Sequence, residues 1–269
     1  MNKQFEKYDD FLGLSSDQVH RMIYYPFQRT DDIVQLDPKI EKRIIDKAPI
    51  VNEVLFFLNR LHELEPLKAT AKGFLSQKFV KELNAQICSE EYIVSIRSEM
   101  DSLHLHSLRI VIRDAGWIKY RNRAFSLTQK GQKVVETGLT GLYFIKLFQV
   151  YTQRFNWAYK DGYPDINVIQ TSFVFSLYML SVLAKKSIQA EDLGKRFIKA
   201  FPMVLNEIEI RQSSKPEETV IYAFSLRFIV RFCEYFGFVE IRREKGKNYR
   251  DKLFIKTTDL FNSFFQWFI

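Results

Sequence analysis

The sequence predicts a mainly helical chain that carries small β hairpins and is built as two similar modules in tandem. Three observations lead there. Residues 108–135, LRIVIRDAGWIKYRNRAFSLTQKGQKVV, and residues 226–261, LRFIVRFCEYFGFVEIRREKGKNYRDKLFIKTTDLF, read alike. Each opens as an apolar helix beginning Leu-Arg (Leu108 and Arg109; Leu226 and Arg227) and closing at a glycine, Gly116 or Gly237. Each continues as an alternating strand, a basic turn and a second strand that ends in threonine just before another helix. Helix, strand, basic hairpin, strand is the back half of a winged helix. The expected architecture is therefore two winged-helix domains, residues 47–137 and 165–269, with a helical arm and linker at 1–46 and a connecting helix and linker at 138–164.

The arm comes first. Ser15 with Gln18 three residues later reads as a capping box, and the helix runs through Val19, Met22 and Ile23 until Pro26 stops it. A short strand, residues 33–36, and a basic linker follow. The arm is expected to pack on one of the domains, with a free docking peptide as the alternative.

In the first domain, residues 49–64 place Val51, Val54, Leu55, Leu58 and Leu61 on one face at helical spacing. Residues 67–71 read as a strand. A second helix over 74–87 turns Phe79, Val80, Leu83 and Ile87 inward, residues 88–96 are ambiguous, and a third helix covers 97–115. The hairpin then has strands 117–121 and 124–128 about the tip Asn122-Arg123. Thr128 suits the N-cap of a closing helix, and Gly116 suits the left-handed residue that ends the third.

The run Leu127-Thr128-Gln129-Lys130-Gly131, with Val134 beyond, resembles the strand-to-helix exit of bacterial winged-helix regulators of the multiple-antibiotic-resistance type, and Ala115-Gly116-Trp117-Ile118 resembles their helix-to-wing turn. Residues 67–83, LKATAKGFLSQKFVKEL, are similar to an uncharacterised bacterial family, some of whose members carry a cysteine-rich SEC-C tail. That tail is not in this sequence. These resemblances imply a fold and no ligand.

Residues 138–159 read as a connecting helix broken by Asp161-Gly162-Tyr163-Pro164. The second domain has helices over 168–183, 190–202 and 217–236. Its wing has strands 238–243 and 252–257, with Gly246 placed for a turn of positive φ. The chain closes in a helix over 258–268 bearing Phe261, Phe264, Phe265, Trp267 and Phe268, whose stripe fits burial in its own domain or a dimer interface. Both a monomer and a homodimer remain open.

Charge placement carries the functional argument. Residues 116–133 hold five basic residues and no acid; residues 237–256 hold seven basic residues against three acids. The two hairpins thus carry +9 of a chain whose net charge is +8. Such localisation points to an anionic partner. The expected function is nucleic-acid binding of the transcription-regulator kind, to double-stranded DNA with weak sequence preference. The candidate contacts are Lys119, Arg121, Arg123, Lys130, Arg242, Arg243, Lys245, Lys247 and Arg250, with Tyr120 and Tyr249 interleaved. Against this stand Glu99 and Asp101 in the first domain and Glu217 and Glu218 in the second, acids at the start of the third helix where phosphates would be repelled. A protein-interaction module is the alternative.

Catalysis is not expected. No phosphate loop, dinucleotide glycine pattern or nucleophile elbow occurs. His104 and His106 lie two apart on a helix, point in different directions and cannot share a metal. No metal and no cofactor is expected, and Cys88 and Cys233 read as buried free thiols. Residues 2–10 lack the apolar run of a signal peptide, and residues 166–184 are too polar for a membrane span, so a cytoplasmic protein without membrane contact is expected.

Overall fold

Helices supply most of the structure, and each sheet is small and antiparallel. The computed structural model describes residues 6–27, 33–87, 96–208, 215–246 and 251–269. The chain divides into a middle unit, Pro38–Asn156, and a terminal unit that joins Met1–Asp37 to Trp157–Ile269. The amino-terminal arm therefore belongs with the second module, and the connecting helix, Gly141–Gln153, with the first.

In the middle unit the Pro49–Leu64 helix begins on a proline, whose missing N–H costs nothing at that position. It buries Val51, Val54, Phe57, Leu58 and Leu61, while Leu55 is half-buried. The Gln77–Ile87 helix buries Phe79, Val80 and Leu83. The third helix is shorter than its sequence pattern: a 3-10 turn, Glu99–Asp101, precedes the α-helix Leu103–Asp114. Ser98 and Asp101 form a capping box at that turn, which separates it from the helix proper. The expected strand at 67–71 is only Leu67–Lys68, because Thr70 turns away to pair with Phe74. It pairs with Ala124–Leu127, which pairs in turn with Ile118–Arg121.

The terminal unit repeats that order. The expected helix over 168–183 is broken at Ser172 into Asn167–Thr171 and Phe173–Leu183, and residues 173–180 of the latter are buried on every face. Among the described residues no helix is long and apolar enough to cross a membrane. Ile188–Gln189 pairs with Lys252–Thr257, the centre of a three-stranded sheet whose other edge is Val239–Glu244. The helix expected over 217–236 is an α-helix, Pro216–Phe224, that widens into a π-helix, Ser225–Glu234. Its Phe224, Phe228 and Phe232 stack in sequence at 5.1 and 5.9 Å, with Trp157 against Phe232 at 4.7 Å.

The arm holds to this unit by backbone and by core. Ser15 caps the Ser16–Tyr24 helix in the expected box with Gln18, and Tyr178 Oη donates to the Leu12 carbonyl at 3.0 Å. The carboxyl-terminal helix ends sooner than expected, at Phe264. Phe265–Trp267 is instead a strand paired antiparallel with Val34–Leu36, flanked by bonds from Asp37 N to Phe264 O and from Phe268 N to Ile33 O. Without that partner Val34–Leu36 would leave its backbone groups unpaired, which outweighs one more helical turn. Phe261, Phe264 and Phe265 are buried and Phe268 is exposed.

Candidate nucleic-acid interface

Both hairpins are set by the same local chemistry. Gly116, at φ +80°, and Gly237, at φ +70°, end their helices in the left-handed region. Gly116 N bonds Arg113 O and Trp117 N bonds Ile112 O; Gly237 N bonds Glu234 O and Phe238 N bonds Cys233 O. This is a Schellman close in both units. At the far end of each hairpin a threonine works twice. Thr128 donates its hydroxyl to Gly116 O at 2.7 Å and accepts from Gly131 N; Thr258 donates to Gly237 O at 2.6 Å and accepts from Phe261 N. Start and finish of each hairpin are thereby tied together. In the middle unit Gly131 is required for closeness: a Cβ there would stand 2.0 Å from the Trp117 carbonyl oxygen.

The Leu-Arg arginines are structural. Arg109 is buried, with Nε 2.6 Å from Glu99 Oε1 and its guanidinium 5.5 Å from the Phe125 ring, on the core side of the hairpin. Arg227 is buried too, with a two-point pair to Asp161 at 2.6 and 3.0 Å and a bond to Pro164 O at 2.8 Å. Glu99 is fully buried, and its carboxylate also accepts from Leu75 N and lies 2.6 Å from His106 Nδ1. The expectation that Glu99 faces and repels phosphate is therefore corrected: its charge is spent on Arg109. Asp101 is exposed but turned back on Arg97 N and Ser98 N, which hold its carboxyl below the usual range. His104 is exposed beside Glu53 while His106 is buried beside Glu99, so the two do diverge.

Among the described residues the cations of the middle hairpin have no ion-pair partner. Strands Ile118–Arg121 and Ala124–Leu127 meet at Asn122 and Arg123, with φ of 51° and 57°. Two positive φ values define a primed two-residue turn, which matches strand twist but favours glycine at its second position. Arginine stands there instead. Lys119, Arg121 and Arg123 are exposed, as is Lys130 on the following helix, Gln129–Thr137, and among the described residues none of them enters an ion pair. Tyr120 lies on the other face, its ring 5.1 Å from Phe125.

The terminal hairpin is different. Arg243 is held by Glu234 through two bonds of 2.8 and 2.6 Å, a contact that raises its already high pKa. Arg242 lies 4.3 Å over the Phe254 ring and pairs with Glu244. Lys245 borders a cleft in which, among the described residues, Glu191, Glu218, Glu244 and Asp251 outnumber Lys245 and Lys252. Lys247, Arg250 and Tyr249 lie outside the described residues. Of the nine candidate contacts, the structure thus places Lys119, Arg121 and Arg123 on the middle hairpin and Lys130 on the helix that follows it, with no ion-pair partner among the described residues, while Arg242 and Arg243 are exposed but engaged by Glu244, Phe254 and Glu234. Sequence reasoning missed Lys68, which pairing in the sheet brings beside the same hairpin. The signal was its place on the first strand, outside the windows in which charge was counted.

Among the described residues no cluster of histidine, cysteine, aspartate or glutamate is arranged to hold a metal ion. No protein-family model matches this chain, no curated protein matches it, and no solved structure matches it.

Proposed function

We propose that the chain is a tandem winged-helix protein, without catalytic activity, that binds double-stranded DNA through phosphate contacts made by the middle unit's hairpin. The observation that carries this is the group Lys119, Arg121 and Arg123, three exposed cations on a hairpin with no acid, with Lys130 exposed on the helix that follows; among the described residues none of the four has an ion-pair partner. The strand order supports the winged-helix part. In each unit the strand after the first helix lies beside the last strand, and the hairpin's first strand is on the outer edge. The exit Leu127–Gly131, which resembles that of bacterial regulators, agrees with it.

Phosphate contacts of this kind position a protein without reading sequence. If three or four of these cations meet phosphate, the log–log salt dependence of binding has a slope of about −3. Fluorescence anisotropy with a random-sequence duplex across a salt series measures it. The combined variant Lys119→Ala, Arg121→Ala, Arg123→Ala should lose most of the affinity equally on all sequences. Salt-independent binding, or no loss in that variant, would refute the proposal.

A second reading is favoured for the terminal unit alone. Arg242 and Arg243 are internally paired, and among the described residues the cleft carries more carboxylates than lysines, which suits a protein partner better than phosphate. On this reading the variant Arg242→Ala, Arg243→Ala leaves DNA affinity close to that of the parent.

A further inference from the structure

We propose that the DNA site of the middle unit extends beyond the hairpin tip onto the solvent face of its three-stranded sheet, where Lys68 and Ser126 join Lys119 and Arg121 in a shallow trough that seats one sugar–phosphate strand of a duplex. The inference rests on the DNA-binding reading above and names where on the unit the phosphates lie.

The register gives the trough. In antiparallel strands, residues paired across the sheet stand on the same face, and alternate residues stand on opposite faces. Leu127 pairs with Ile118, and Phe125 with Tyr120 and Leu67. Ile118, Phe125 and Leu127 are buried, so that face is the core face. The opposite face carries Lys119 paired with Ser126, and the row Arg121, Ala124, Lys68 across all three strands. The central strand thus shows only small residues outward, Ala124 and Ser126, while the edge strands show long cations.

Strand spacing puts Lys68 roughly 10 Å from Arg121 across the floor, and the rise along a strand puts Lys119 roughly 7 Å from Arg121. Lysine and arginine side chains at that separation reach inward over a floor too low to block them. Ser126 adds a hydroxyl that has no hydrogen-bond partner among the described residues, half-buried on the floor between the walls. A hydroxyl between cations is a phosphate ligand. Lys68 is exposed and makes no ion pair either among the described residues. The strand carrying it stays beside the tip, because Ala69 N bonds Arg123 O at 2.9 Å.

The absence of aromatics on this face decides between kinds of nucleic acid. Single-strand binders stack bases on aromatic platforms. Here the outward residues are Lys68, Ala124, Ser126, Lys119 and Arg121, and Tyr120, though itself exposed, stands on the opposite face with its ring against Phe125. The trough therefore offers charge and hydrogen bonds to a backbone and no stacking surface to a base.

The test is anisotropy of a labelled random-sequence duplex of about 20 base pairs over a salt series, a length that exceeds the reach of one hairpin. Lys68→Ala should weaken binding by about three- to ten-fold near 0.1 M salt and reduce the slope by about 1. Ser126→Leu fills the floor without changing charge and should weaken binding by a similar factor. Lys47→Ala removes an exposed lysine of the same unit and should leave binding unchanged. Unchanged far-ultraviolet circular dichroism and melting show that each variant is folded. If Lys68→Ala and Ser126→Leu bind like the parent while Arg123→Ala loses affinity, the site is confined to the tip and this inference is wrong, although the DNA reading stands. If the parent shows no salt-dependent binding, both are wrong.

Discussion

Arg123→Gly separates what the hairpin needs for folding from what it needs for binding. Arg123 occupies φ +57° at the second position of a two-residue turn. An L-residue in the left-handed region is disfavoured by about 1–2 kcal/mol. Glycine removes that penalty but enlarges the entropy of the unfolded chain by about 0.4–1 kcal/mol. The Arg123 side chain is exposed and makes no ion pair, so little else is lost. The expected change in stability is between zero and about 1.6 kcal/mol in favour of the variant. Binding should move the other way, since one phosphate contact disappears and the salt slope falls by about 1. Urea denaturation followed by tryptophan fluorescence in a Trp157→Phe, Trp267→Phe background, which leaves Trp117 as the reporter, gives the first number, and anisotropy with duplex DNA the second. Trp117 is a suitable reporter because it is buried at the base of this hairpin. A variant destabilised by more than about 1 kcal/mol would show that the arginine side chain holds the turn. A variant that binds as tightly as the parent would show that the tip does not touch phosphate. Either result refutes the argument that arginine is kept at this turn for its charge.

Other perturbations test the frame. Arg227→Met strands the buried Asp161 carboxylate and should destabilise the terminal unit by about 3–5 kcal/mol, with partial recovery in Arg227→Met, Asp161→Leu; chemical denaturation of both checks it, and a loss below about 1 kcal/mol would mean the pair is hydrated. Phe264 is fully buried, with its ring 5.7 Å from Phe238 and 5.0 Å from Phe265. Phe264→Ala should cost about 3–5 kcal/mol, and the lowered melting temperature should not depend on protein concentration; a concentration-dependent value would place the stripe at a dimer interface. Burial pushes the Cys233 thiol well above its ordinary pKa. In a Cys88→Ser background the folded protein should therefore ignore a thiol reagent near pH 8 and react only on unfolding, and rapid labelling without denaturant would contradict the described burial.

Most of the frame was legible because it is written locally. Glycine at a helix end, threonine at a strand end and alternation within a hairpin each act within a few residues, so Gly116, Thr128 and the strands about Asn122 fall where pattern reading puts them. What escaped depends on partners far away in sequence. The strand Phe265–Trp267 looks helical until Val34–Leu36, more than two hundred residues earlier, supplies its ladder. Glu99 looks like an exposed acid at a helix start until Arg109 and the Leu75 amide are brought to it. Lys68 looks like one more surface lysine until the sheet sets it across Ala124 from Arg121.

The same distinction explains why two units with one frame need not share one function. Glycine and threonine recur because they place a hairpin, and placing a hairpin says nothing about what it meets. Charge counted along the sequence treats the two hairpins as similar, but a cation acts on a partner only to the extent that its own chain leaves it unpaired. In the terminal unit Glu234 on the preceding helix and Phe254 on the facing strand take up Arg243 and Arg242. In the middle unit the positions facing Lys119 and Arg121 across the hairpin are Ser126 and Ala124, which offer neither charge nor ring. Small residues at the centre of that sheet leave its cations available, and this, more than the number of basic residues, is the reason to look for DNA on the middle unit.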